Sequence, residues 1–517
     1  MKKEENLINS NKIDLVFAPP QQSFDLNKEC ETYSKANIKN FISIVFITLI
    51  FGFSIYIEDN GYNITSFINN IKQYLGVKEE IDELCNEIEP IHLFELRLNN
   101  TPIKICDNEI SNQNHICYLN THNEYFYYKD GVTCIMKNIV LDPSKSSQTD
   151  IIYKGPVDST HRGFPILQEG FFNMNCNSKN DFKNYNSIYT TYFNSWNYNY
   201  KGNEEIQELA PGKTIFFLSR NQDSPNIFHG LSELINALAM MELFKLKPEK
   251  IQIIFLESMT IKDDPFYDLY KNLISRGGKP IYIRELSKKY IISSAVHVPI
   301  NWDSTVFLDI KYPNCGENPG RAYKLLNELV LKYMNIEQYE DKFITDNELY
   351  YYPKSVIGNY SSKIKFKKYI TIQWRRIWPK GRTGQYRIMG NGPELAEKLA
   401  NALPKDYLVR LVDTAGLSIS QQISLMRKTD YLVGIHGAGL CLGIFMPNKS
   451  ILHEVLPSNN MPVLTLMSAL SGHKTYSDIL RANTRQIEGS EYIFFKEGHF
   501  VKKVLLHMKE NNYFYIK

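Results

Sequence analysis

The sequence predicts an α/β protein of two Rossmann-like lobes around a central cleft, preceded by a transmembrane anchor and a cysteine-containing stem region. Three observations carry this expectation. Strand–helix alternation begins near residue 211 and restarts near 369, and such alternation is the signature of parallel sheets covered by helices. An uncharged apolar run occupies residues 41–57. Most of the cysteines cluster just beyond it. At 517 residues the chain is also too long for one compact core.

Residues 1–40 are polar with little apolar periodicity and read as a cytosolic tail. The run FISIVFITLIFGFSIYI (41–57) spans about 25 Å as a helix, slightly short of a hydrocarbon core of about 30 Å. Lys35 and Lys39 precede it and Glu58 and Asp59 follow, which puts the N-terminus in the cytosol. A short anchor suits the thinner membranes of the endoplasmic reticulum or Golgi, with a single-pass type II topology and a lumenal catalytic region. A buried core helix is the alternative. Residues 58–90 carry two amphipathic stretches and read as a stem, and 91–210 as a Cys-containing region joined to the first lobe.

In an oxidising lumen Cys85, Cys106, Cys117, Cys134, Cys176 and Cys315 are candidates for disulfides of undetermined connectivity, since their spacing matches no zinc pattern. Cys30 falls on the cytosolic side, and Cys441 inside an apolar segment reads as a buried free thiol. Sequons at Asn63, Asn99 and Asn359 suit the same compartment. The net charge of +3 gives no argument for a nucleic-acid partner.

The first lobe, 211–335, places strands at 214–219, 251–256, 280–283, 296–299 and 306–310. Helices are expected at 228–244, 265–274 and 320–334, the last linking the halves. The second lobe, 336–517, has strands at 369–373, 407–412, 431–435 and 451–455, with helices at 393–403 and 420–428. Ser418 or Ser420 can cap the second of these. Clefts between such lobes are where nucleotides bind.

Three short patterns fit one cleft. The first is the elbow His436, Gly437, Ala438, Gly439 after strand 431–435. Glycines there let backbone N–H groups approach an anion, and the apolar helix that follows aims its positive end at the same spot. The alternative is a tight connection whose glycines only permit packing. The second is QWRR (373–376), with Arg382 and Arg387 beyond it, since arginines past a strand's carboxyl end grip phosphate bidentately. A solvated basic loop is the alternative. The third is Asn226 and His229 opening the long first-lobe helix, with Glu233 one turn on. His229 and Glu233 share a helix face, and such a pair can take a proton from a hydroxyl; the alternative is a helix cap at Asn226 and a satisfied boundary histidine. Glu454 ends a strand at a polar edge, where it suits ribose hydroxyls or an arginine. No Asp-x-Asp metal-binding pair occurs.

Together these residues resemble glycosyltransferase family 61. The closest match is HGAGL (436–440), followed by Phe445, Pro447, Glu454 and Pro457 at family-like spacing. Arg387 and Asn391 resemble the family's R-x-x-x-N element, with Arg375 at the preceding strand end. Asn226, His229 and Glu233 resemble its N-x-x-H-x-x-x-D element. The resemblance covers roughly residues 205–480. Two departures stand out: Glu233 replaces the family's Asp, and Gly392 and Pro393 intervene between Asn391 and Glu394.

The resemblance implies a GT-B fold, inversion at the anomeric carbon, a UDP-sugar donor and no cofactor or metal. The acceptor is then a protein or polysaccharide hydroxyl. In this reading Arg375, Arg387, Asn391 and the HGAG elbow bind the donor, Glu454 holds the ribose, and His229 or Glu233 activates the acceptor. A catalytically inactive binding or scaffolding protein of the same fold is the alternative.

Overall fold

The computed structural model describes residues 103–108, 113–119, 132–147, 166–176, 192, 194–202, 205–219, 226–256, 266–299, 319–334, 349–359, 366–376, 387–456, 463–480 and 482–513. The tail, the apolar run 41–57, the stem, Cys30, Cys85, Cys315, Arg382 and the expected strand 306–310 lie outside them. Among the described residues no helix is long and apolar enough to cross a membrane.

The first sheet contains β1 (Ile103–Asn108), β2 (Gln113–Leu119), β3 (Val132–Leu141), β4 (Thr214–Leu218), β5 (Ile251–Phe255), β6 (Ile281–Tyr282) and β7 (Tyr290–Val298). Their order is β1-β2-β3-β7-β4-β5-β6, with two short strands branching from β3. β1 to β3 form an antiparallel meander that joins β7 antiparallel, whereas β7, β4, β5 and β6 run parallel. The cysteine-containing region therefore extends the same sheet as the first α/β block. TIFFL and IQIIF are near-continuous apolar runs because helices or loops cover both of their faces. Cys117 and Cys134 sit opposite each other in the β2–β3 register and are bonded; Cys106 is bonded to Cys176. Cys441 is a buried free thiol.

The second sheet contains β8 (Tyr350–Tyr351), β9 (Lys368–Gln373), β11 (Tyr407–Val412), β12 (Tyr431–Ile435), β13 (Ile451–Leu456) and β14 (Lys474–Ile479), in the order β8-β11-β9-β12-β13-β14. All neighbours are parallel except β8. A small third sheet joins β10 (Ile388–Met389), β16 (Ser490–Phe495) and β15 (Ala482–Ile487).

Six helices matter here: α1 (Ile227–Leu243), α2 (Arg321–Tyr333), α3 (Gly392–Ala402), α4 (Ile419–Arg427), α5 (Val463–Leu470) and α6 (Glu497–Glu510). Ser418 caps α4 in a capping box with Gln421, as S-x-x-Q suggests. Two helical expectations need correction. The segment 265–274 is a single α turn, Tyr267–Leu269, continuing as π-helix over Tyr270–Ile274. The segment after the glycine elbow, Ala438–Phe445, winds as 3₁₀-helix. Its tight packing accounts for its glycines: a Cβ at Gly443 would lie 3.0 Å from Ser468 Oγ and 3.2 Å from Leu452 Cδ1.

Strand alternation divides the core. Ile451 and Val455 of β13 face one side with α3 and α6, while Leu452 faces the other. On that second side α1, α2, α4, α5 and Ala438–Phe445 merge into one apolar cluster drawn from both sheets. Leu231, Leu238 and Leu326 from the first block pack there with Leu440, Ile444 and Leu464 from the second.

Candidate active site

Numbered in chain order, the five parallel strands of the second sheet run 2-1-3-4-5. The chain leaves β9 through α3 on one face and enters β12 from α4 on the other. The carboxyl ends of β9 and β12 therefore form a topological switch point, where open α/β sheets bind ligands. β9 ends at Gln373 and β12 at Ile435, so Arg375 and His436 meet there by topology alone.

Register fixes the side chains. Gln373, Gly434 and Glu454 are lateral partners and point to the same face. Gly434 is bare between them: a Cβ there would come within 3.0 Å of Gln373 Cβ and 3.1 Å of Leu440 Cδ2. His436 lies two residues beyond Gly434, returns to that face, and its Nδ1 bonds Glu454 Oε1. The Glu454 carboxylate is fully buried. Burial raises its pKa, opposed by His436, the Thr465 backbone N–H in the first turn of α5, and Arg387.

The two glycines of the elbow serve side chains as well as backbone. A Cβ on Gly437 would lie 2.0 Å from Arg375 Nη1, and one on Gly439 would lie 2.0 Å from Gln373 Nε2. Gly437 itself is extended, with φ 173°, so only the space requires glycine. Arg375 Nη1 donates to the His436 carbonyl at 3.4 Å, and Gln373 Nε2 to Thr414 Oγ1 at 2.9 Å. The His436 N–H continues the sheet ladder to Val455 O at 2.8 Å, which takes it away from an anion.

The two adjacent arginines divide. Arg376 pairs with Asp413 at 2.9 Å and lies over Trp374, whereas Arg375 is half-buried against the elbow. Arg387 approaches from the next loop, tied in by the Met389 N–H to the Arg375 carbonyl at 2.9 Å. Its φ is +66°, a costly region for a β-carbon residue and a mark of functional positions. Burial lowers its pKa, while Glu491 and Glu454 raise it.

Other expected site residues sit differently. Asn391 pairs its amide with the Phe495 backbone: Nδ2 donates to the carbonyl at 2.9 Å and Oδ1 accepts from the N–H at 3.1 Å. That anchors β16 beside the site. Glu454, expected at the ribose, is fully buried and holds His436 through Oε1. Asn226 caps α1, accepting from the Phe228 N–H at 3.0 Å. His229 is half-buried, edge-on to Phe228 at 5.3 Å, and Glu233 is buried. Helix α1 packs against Ala438–Phe445, which brings the His229 helix and the elbow onto adjacent elements.

Thr414, Thr465 and Glu491 complete the site with Gln373 without having been expected there. Gln373 alone had a local signal, as the residue before the arginines; the others arrive through long-range packing.

Residues 289–452 match the family model of glycosyltransferase 61. No curated protein matches the chain in a sequence search. The matched stretch holds Arg375, Arg387 and the His436 elbow; Asn226, His229, Glu233 and Glu454 lie outside it. The chain carries a glycosyltransferase family 61 domain and is a glycosyltransferase.

Proposed function

We propose that the chain is an inverting glycosyltransferase that moves GlcNAc, or a pentose such as xylose, from a UDP-sugar to a protein or glycan hydroxyl in the secretory pathway. The two α/β blocks act as the two lobes of a GT-B fold. The observation that carries the reading is the gathering of Arg375, Arg387 and the His436–Glu454 pair at the switch point of the second sheet.

In the reaction the acceptor oxygen attacks the anomeric carbon, the bond from that carbon to the diphosphate breaks, and charge collects on the departing UDP. Arg375 and Arg387 offer charge-assisted donors to that charge from a partly desolvated site, where such bonds are strongest. Glu454 holds the His436 ring at the elbow through Nδ1. The acceptor proton goes to His229, the more accessible member of the α1 pair, with Glu233 beside it on the helix face. No metal takes part in donor binding, in keeping with a sequence that lacks an Asp-x-Asp pair. Residues 41–57 anchor the chain in the endoplasmic-reticulum or Golgi membrane with the enzyme in the lumen.

A thermal-shift panel of UDP, UDP-GlcNAc, UDP-xylose and GDP-sugars tests this. Ligand at about 100 times its Kd stabilises the folded state by about 2.7 kcal/mol. Stabilisation by UDP compounds alone is expected; none from any of them would overturn the reading.

A further inference from the structure

On the opposite face of β13 from Glu454, His453 of β13, Asp478 of β14 and His507 of α6 converge. His453 and His507 are buried and Asp478 is nearly so. Nε2 of each histidine approaches the same oxygen, Asp478 Oδ2, at 3.1 Å from His453 and 3.2 Å from His507. All three atoms lie within 4.8 Å of one another. A tetrahedral zinc ion with bonds of about 2.0–2.1 Å separates its ligand atoms by about 3.3 Å, so the two contacts have the length of tetrahedron edges.

The contact between His453 and Asp478 is poorly aligned for a hydrogen bond. His453 Nε2 and Asp478 Oδ2 are buried with no hydrogen-bond partner, although they are in contact. That misalignment is what a shared ion produces, since each ligand's lone pair points at the metal and not at its neighbour. Proton counting agrees. Tyr431 Oη faces both Nδ1 atoms, at 3.0 Å and 3.3 Å, while Asp478 Oδ2 faces both Nε2 atoms. These four contacts need four protons, and two neutral imidazoles plus one phenol hold three, so an imidazolium or a bound cation completes the set. With both Nδ1–H groups donating to Tyr431, two nitrogen lone pairs and a carboxylate oxygen are left converging on one point. Lys503 holds the other oxygen, Asp478 Oδ1, at 2.9 Å, which orients the carboxylate.

We propose that His453, Asp478 and His507 bind a divalent cation of the zinc class, with Tyr431 fixing both rings from behind. Two imidazoles and a carboxylate are ligand types that suit Zn²⁺. The ion pins the C-terminal helix α6 to the sheet on the face away from Arg375 and the elbow, so its role is structural.

The test uses the purified full-length chain. Metal analysis is expected to find about one zinc per chain. Stripping with a chelator should lower the melting temperature, and Zn²⁺ alone should restore it. Asp478→Asn and His507→Gln should lose the bound zinc and its restoring effect. Tyr431→Phe keeps all three ligands and serves if those variants fail to fold; it should weaken zinc affinity about 10–100-fold. A wild-type chain that holds no zinc and gains no stability from it would overturn the proposal, as would unchanged zinc affinity in Tyr431→Phe.

Discussion

Replacing Gly437 with Ala isolates the contribution of Arg375 without touching that arginine. The backbone at Gly437 is extended, so alanine adds no conformational strain. Its Cβ would sit 2.0 Å from Arg375 Nη1, against an ordinary contact of at least 3.4 Å, so the guanidinium must retreat by about 1.4 Å. The obstructing atom is the far end of a flexible side chain, and the cost in stability stays within about 0.5 kcal/mol. A displacement of about 1 Å in a charge-stabilising group costs on the order of 100-fold in rate, or about 2.7 kcal/mol of barrier. Initial rates of UDP release from a saturating UDP-sugar, with melting curves of the same samples, give both quantities. The expected outcome is turnover down about 100-fold at nearly constant melting temperature. Wild-type turnover in a folded Gly437→Ala protein would refute the placement of Arg375 at the departing diphosphate.

Glu454→Gln keeps the buried shape but removes the charge behind His436; turnover should drop about 10–100-fold while the circular dichroism spectrum is retained. Asn391→Ala should behave in the opposite way. Losing both bonds to the Phe495 backbone costs about 2–4 kcal/mol of stability, read by urea unfolding, with kcat of the folded fraction unchanged. Arg387→Ala should abolish stabilisation by UDP-sugars in a thermal-shift assay while the protein remains folded. Replacing Cys117 and Cys134 together by serine opens a loop of sequence separation 17, and unfolding stability should fall by about 3 kcal/mol.

Local pattern made the second sheet legible. Buried strands such as Tyr431–Ile435 read as continuous apolar runs, and of the two candidate caps, Ser418 and Ser420, Ser418 starts the helix. The elbow could be found as a motif, yet its physical reason could not. From sequence, Gly437 and Gly439 read either as openings for a ligand or as glycines that permit packing, and only the structure shows that they admit the side chains of Arg375 and Gln373, some sixty residues earlier. The backbone partner of Asn391 was equally beyond local reading, because Phe495 lies 104 residues away. The burial of Glu454 depends on the register that sets it beside the bare Gly434, and register is a property of pairing, not of one strand. Disulfide partners were undetermined because spacing does not encode which strands neighbour each other; Cys117 and Cys134 are joined by the β2–β3 pairing. The 3₁₀ winding of Ala438–Phe445 follows from tight packing on Leu452 and Ser468, which no window of sequence contains.

Calorimetric titration of UDP into the wild-type chain and into Arg375→Ala addresses the donor site itself. Saturable binding at one site in the wild type, weakened at least about tenfold by the substitution, is the outcome expected if the diphosphate rests between β9 and β12. Equal affinity in the two proteins, or no UDP binding by the wild type, would contradict it.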